Sequence, residues 1–142
     1  MVKRSPSGLP AIDYIPPLAG MSVLIVEDEI IIGMMLANEI TLAGGTAIGP
    51  MNTVASALKE IESGVVNAVI LDAKLVDGSG ADLAASLEKR RIPYVVVSGY
   101  DRENLPQGLR RAPFMAKPIS MPLLVEAIGR LAAASRQSSV TD

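Results

Sequence analysis

The chain has neither cysteine nor histidine. The first absence excludes disulfides, thiolate nucleophiles and cysteine-ligated metals. The second removes imidazole general bases, Ser-His-Asp triads and His-bound zinc. A metal, if one is used, has to be a hard cation held by oxygen donors. Tryptophan is missing too, and aromatic residues make up 3% of the 142 positions, so a core must be built from Val, Ile, Leu, Ala and Met. A net charge of −2 gives no general electrostatic attraction to nucleic acid. No apolar run approaches the length of a membrane span. The N-terminus begins basic but lacks the apolar segment of a signal peptide. These absences describe a cytoplasmic protein with no nucleic-acid or membrane partner. What is present, 49% hydrophobic and 20% charged residues, is the balance of a globular chain of one ordinary domain.

Residues 1–20 hold four of the ten prolines and show no strand or helix period. They read as a flexible extension, although Ile12, Tyr14, Ile15 and Leu18 could dock on something. A repeating pattern starts at residue 21. Apolar stretches at 21–26, 66–71, 93–98 and 112–116, with a weaker one at 46–49, predict five strands. Helical period predicts helices over 29–43, 53–63, 80–91 and 121–134, with Gly44-Gly45 and Gly64 as stops and Ser120 as a cap. The stretch 72–80 reads as a loop. Between 99 and 111 only two leucines occur and Pro106 and Gly108 interrupt, so a short helical turn or a loop is expected. The tail, 135–142, is polar and reads as disordered. Strand-helix alternation predicts an α/β fold: a doubly wound five-stranded parallel sheet in the flavodoxin-like order 2-1-3-4-5, with the fourth helix short or irregular.

In such a sheet, chemistry collects at the carboxyl ends of the strands. Glu27 and Asp28, Asp72, Ser98 and Lys117 all fall there. Alone, Asp72 could equally be a turn residue after an apolar strand. Four coincidences at corresponding strand ends favour a site. Carboxylates pressed together repel one another and raise one another's pKa unless a cation is present, and with oxygen donors only, Mg²⁺ is the natural one. Lys117 adds a mobile positive charge and Ser98 a hydroxyl. The set suits attack by Asp72 on a phosphoryl donor to form an acyl phosphate.

These residues resemble the CheY-like receiver domain of two-component response regulators over about residues 21–134. The likeness rests on Val-Glu-Asp-Glu at 26–29, Val-Ile-Leu-Asp at 69–72, Asp77-Gly78, Val-Val-Val-Ser at 95–98 and Lys117-Pro118. It implies that Asp72 is the phosphoacceptor and that Glu27, Asp28, Asp72 and the Lys74 backbone carbonyl hold Mg²⁺. Ser98 would be the switch hydroxyl, Lys117 the phosphate-sensing lysine, and Lys117-Pro118 a cis peptide. Phe114 falls at the place of the family's switch aromatic, and Lys74 and Tyr100 at positions that tune dephosphorylation. Val76 departs from the proline common two residues before the loop glycine. Ser98-Gly99-Tyr100 is similar to an alphaproteobacterial subgroup in which the fourth helix is reduced. The implied partners are a histidine kinase or histidine phosphotransfer protein and an unnamed downstream protein. The implied regulator stands alone, as monomer or weak homodimer, and signals by phosphorylation-dependent contacts or acts as a phosphate shuttle or sink.

Other readings remain open on the residues. A degenerate receiver could act as an unphosphorylated interaction module. A Mg²⁺-dependent aspartyl phosphohydrolase would want an acid two residues past its nucleophile, where Lys74 stands. A nucleotide-binding flavodoxin-like protein would want a glycine-rich loop after the first strand. On the first helix, Ile30, Met34 and Ala37 lie opposite the core stripe, open either to a partner or to cover by Ile12, Tyr14 and Leu18.

Overall fold

The computed structural model describes residues 15–75, 78–99 and 101–140. Each long apolar run forms a strand: β1 (Ser22–Val26), β2 (Thr46–Met51), β3 (Ala68–Asp72), β6 (Tyr94–Ser98) and β7 (Phe114–Ala116). They pair in parallel in the order β2-β1-β3-β6-β7, which is the expected 2-1-3-4-5 arrangement of the five main strands. The remaining two strands, β4 (Lys74–Leu75) and β5 (Gly78–Ser79), form a small antiparallel ladder inside the stretch expected to be a plain loop. Four helices cover the sheet: α1 (Ile30–Leu42), α2 (Val54–Glu62), α3 (Gly80–Lys89) and α4 (Met121–Val140).

The alternation of side chains along the central strands divides the core. Leu24, Val26, Val69, Leu71 and Val96 pack beneath α2 and α3 with Ala57, Ile61, Leu83 and Leu87. Val23, Ile25, Ile70, Val95 and Val97 pack beneath α1 and α4 with Leu36, Ile40, Leu124 and Ile128. Strands covered on both faces need no polar alternation, which is why β1, β3 and β6 are continuous apolar runs. β2 is the partly exposed edge that its weaker pattern predicts. Its cis Gly49-Pro50 bond presses Pro50 against α1 at Gly33, where a Cβ would come within 2.5 Å of the proline ring.

At the two ends of the chain expectations change, and between β6 and β7 one is borne out. Residues 16–20 are not loose: Leu18 is fully buried with Met21, Ala43 and Ala132, and its N–H donates to Ala43 O at 2.9 Å. The burial of Leu18 is tertiary, in the gap between the ends of α1 and α4, and no local pattern announces it. Leu18 therefore does not cover the outer face of α1, where Ile30 and Met34 remain exposed; Ile12 and Tyr14 lie outside the described residues. The last helix continues to Val140, past its expected end at 134, because Ala132–Ala134 and the residues after them include no glycine or proline. Between β6 and β7 the expected irregularity takes the form of two single 3-10 turns, Arg102–Asn104 and Gln107–Leu109. Leu105 and Leu109 are fully buried there and fill the place of a helix's inward stripe.

Candidate functional site

The carboxyl ends of β1, β3, β6 and β7 open into a cleft of about 340 Å³ lined by Asp28, Glu29, Asp72, Lys74, Ser98, Gly99 and Lys117. Backbone pairing fixes every donor. Glu27 follows β1, and its N–H donates to Met51 O at 2.8 Å. Asp72 is the last residue of β3, opposite Val97. Its backbone carbonyl is approached so closely by Gly80, the first residue of α3, that a Cβ there would lie 2.9 Å from the oxygen. Lys117 N–H donates to Ser98 O at 2.8 Å, tying the lysine to the end of β6, and the Lys117-Pro118 bond is cis as expected.

The side chains converge. Oxygens of Glu27, Asp28 and Asp72 all lie within 4.8 Å of one another. Glu27 and Asp72 are buried and Asp28 is exposed. Lys117 Nζ stands 2.7 Å from Glu27 Oε1, 3.0 Å from Glu29 Oε1 and 3.7 Å from Asp72 Oδ2. The contact with Glu27 is an ion pair rather than a well-aligned hydrogen bond, so this buried oxygen has a countercharge but no donor pointed at it. Lys74 N–H donates to Asp72 Oδ1 at 3.2 Å. Ser98 is buried at the cleft wall.

The electrostatics follow from crowding. Burial first, then hydrogen bonding with Glu27 and Asp28 and the charge of Glu27, push the Asp72 carboxyl up to about 8. Asp28 is held below the usual carboxylate range, chiefly by its hydrogen bond with Asp72, against a smaller cost of burial. Burial works to lower the Lys117 pKa, but its contacts with Glu27 and Glu29 and the charges of Asp72 and Glu27 outweigh it and hold the ammonium firmly protonated. A pocket of close-set carboxylate oxygens with one buried oxygen lacking an aligned donor fits a hard divalent cation that keeps part of its water shell.

Of the residues singled out in the sequence, Glu27, Asp28, Asp72, Lys74, Ser98 and Lys117 come together. Phe114 does not line the cleft; it sits on β7 opposite Val96, half-buried, with the Arg102 guanidinium 5.2 Å from its ring centre. Tyr100, Val76 and Asp77 lie outside the described residues. Two partners went unread. Glu29 completes the acidic run Glu27-Asp28-Glu29, and that run was the only available signal for it. Arg102 also donates through Nη1 to Arg110 O at 2.9 Å and Ala112 O at 2.7 Å, fastening the first 3-10 turn to the stretch that leads into β7; nothing local to Arg102 marks that role.

A parallel α/β sheet carrying an acidic, lysine-capped cleft at its strand ends defines a class of phosphorylation-based signalling domains. The family model described as response regulator receiver domain matches residues 23–129, and the chain belongs to that family. It is 31% identical over 122 residues to the swarming motility regulation protein RssB of Serratia marcescens, a match covering 82% of this chain and 54% of that protein. The chain spans about half the length of the curated relatives it matches. Among solved structures, SdrG from Sphingomonas melonis Fr1 is 33% identical with a TM-score of 0.69, covering 82% of this chain and 98% of that one. TrrA from Thermotoga maritima, solved in complex with Mg²⁺-BeF, shares the fold at 23% identity and a TM-score of 0.68, covering 78% and 98%. Among the described residues no helix is long and apolar enough to cross a membrane.

Proposed function

We propose that this chain accepts a phosphoryl group on Asp72 in a Mg²⁺-dependent reaction and signals through the change that follows. The observation that carries the proposal is the convergence of the Glu27, Asp28 and Asp72 oxygens within 4.8 Å, with the Lys117 ammonium set against them. The donor is a phosphohistidine of a histidine kinase or histidine phosphotransfer protein. Asp72 Oδ attacks phosphorus; an O–P bond forms as the P–N bond breaks, and its electron pair leaves with the imidazole. Glu27, Asp28, Asp72 and the Lys74 carbonyl would hold the metal. Bound there, Mg²⁺ would supply positive charge that keeps Asp72 ionised and neutralises the transferring oxygens. Lys117 and the Ser98 hydroxyl bind the transferred group from the β7 and β6 sides.

The acyl phosphate then biases a two-state equilibrium. Ser98 is drawn toward the phosphoryl group, and the 3-10 segment and Phe114 repack behind it. Arg102 supports this route, because one side chain joins the segment after β6 to the start of β7. Lys74 stands at the rim of the cleft, and it and Tyr100 would tune hydrolysis. The downstream partner is a protein that distinguishes the two states.

Labelling with a small phosphodonor in Mg²⁺, or with a phosphorylated histidine phosphotransfer domain, tests the proposal. Wild type is expected to take up label and Asp72→Asn none. Equal labelling of the variant would remove Asp72 from the role, and an unlabelled wild type would favour an interaction module that works without phosphorylation.

A further inference from the structure

Glu29 has no place in the converging triad, whose oxygens come from Glu27, Asp28 and Asp72. It occupies the N-cap position of α1, yet its side chain makes no capping hydrogen bond. Its carboxylate reaches across the cleft instead and accepts from Lys117 Nζ at 3.0 Å. The same ammonium is 2.7 Å from Glu27 Oε1 but 3.7 Å from Asp72 Oδ2, on the carboxylate that would carry the phosphoryl group. Lys117 thus rests on the two glutamates and stands off the acceptor.

A phosphoryl group brings close to two negative charges and strong acceptor oxygens. Drawing Lys117 to hydrogen-bond distance of that group moves the ammonium away from the glutamates. If Glu27 turns to a metal, its hold weakens by itself. Among the described residues the Glu29 carboxylate pairs with Lys117 alone, so it is the group left pulling back. We infer that Glu29 is a positioning residue for the phosphoryl transfer proposed above: it holds Lys117 off Asp72 in the unphosphorylated protein and sets how readily the lysine is released. The inference rests on the phosphoacceptor reading. Because the Glu29 side chain is 59% exposed, the hold is modest. A pair of this kind changes an equilibrium by about two- to five-fold and weakens as salt rises.

The test titrates the full chain with beryllofluoride in excess Mg²⁺, using the fluoride complex as a phosphoryl mimic and calorimetry as the readout. Glu29→Gln is expected to bind it about two- to five-fold more tightly than wild type, with the gain shrinking in high salt. A second variant, Glu29→Gln with Ile30→Glu, returns a charge to the same rim at an exposed neighbouring position without restoring the reach to Lys117. The gain persists in that variant if Glu29 acts through the lysine. Unchanged affinity in Glu29→Gln, or a gain abolished by the relocated charge, overturns the inference while leaving phosphorylation of Asp72 intact. A wild type that binds no beryllofluoride overturns the phosphoacceptor reading and this inference with it.

Discussion

Replacing Asp72 with asparagine should make the metal-free protein more stable, and by an amount that grows with pH. Asp72 is 4% exposed and its carboxyl is pushed from 3.8 up to about 8 by burial and by Glu27 and Asp28. The folded state therefore holds the Asp72 proton more tightly than the unfolded chain does. Its contribution is fully favourable below the unfolded pKa and is lost as pH rises from about 4 to about 8, levelling above that. At about 1.4 kcal/mol per pH unit, that window sets a ceiling near 6 kcal/mol. Water in the open cleft and movement of Lys117 from 3.7 Å toward the ionised carboxylate reduce it, and we expect about 2–3 kcal/mol at pH 8. Asparagine has nearly the same shape and offers its amide N–H to Asp28. Urea denaturation followed by circular dichroism, in EDTA, at several pH values between 4 and 8.5, gives the comparison. Wild type and Asp72→Asn should nearly coincide at the acid end and separate as pH rises. Millimolar Mg²⁺ should then stabilise wild type much more than the variant, since ligand binding adds stability only where the site is complete. A difference independent of pH, or a variant less stable than wild type at pH 8 in EDTA, would mean that the crowded carboxylates do not hold the Asp72 proton.

Other outcomes follow from the packing. Leu18→Ala should cost about 2–4 kcal/mol in chemical denaturation, as for a fully buried leucine, with Mg²⁺-dependent labelling of the folded protein unchanged. Gly80→Ala should destabilise by about 1–3 kcal/mol and slow labelling, because the new methyl group meets the Asp72 carbonyl at 2.9 Å. Arg102→Ala should lose about 1–2 kcal/mol and speed hydrogen exchange across 102–112, since two carbonyls and the Phe114 ring lose the same partner.

The main strands and the site were legible for one reason: an apolar run ending in a polar residue is the signature of a buried parallel strand whose tip faces a cleft. Asp72, Ser98 and Lys117 each end or follow such a run, and the parallel strand order brings them together. What was not legible depends on contacts across the fold. Leu18 stands among prolines and a glycine, so its neighbourhood reads as a loop, while its burial is decided by a gap between α1 and α4. The ladder of Lys74–Leu75 with Gly78–Ser79 is set by the closure of the chain from Asp72 onto Gly80, and two-residue strands are too short to show a period. The cis bond at Gly49-Pro50 likewise has no local signal that separates it from a trans one. Glu29 was visible as an acid, but its reach to Lys117 belongs to the far end of the sheet. Arg102 illustrates the same limit, since an arginine in an irregular segment gives no hint of the carbonyls it will meet.

The central claim is that the carboxyl of Asp72 becomes the acyl phosphate. Borohydride reduction of the phosphorylated protein converts such an acyl group to an alcohol, and peptide mass mapping then locates the altered position. Homoserine is expected at position 72 in wild type, dependent on both phosphodonor and Mg²⁺, and no reduced residue in Asp72→Asn. Reduction at any other carboxylate, or at position 72 with EDTA in place of Mg²⁺, would contradict it.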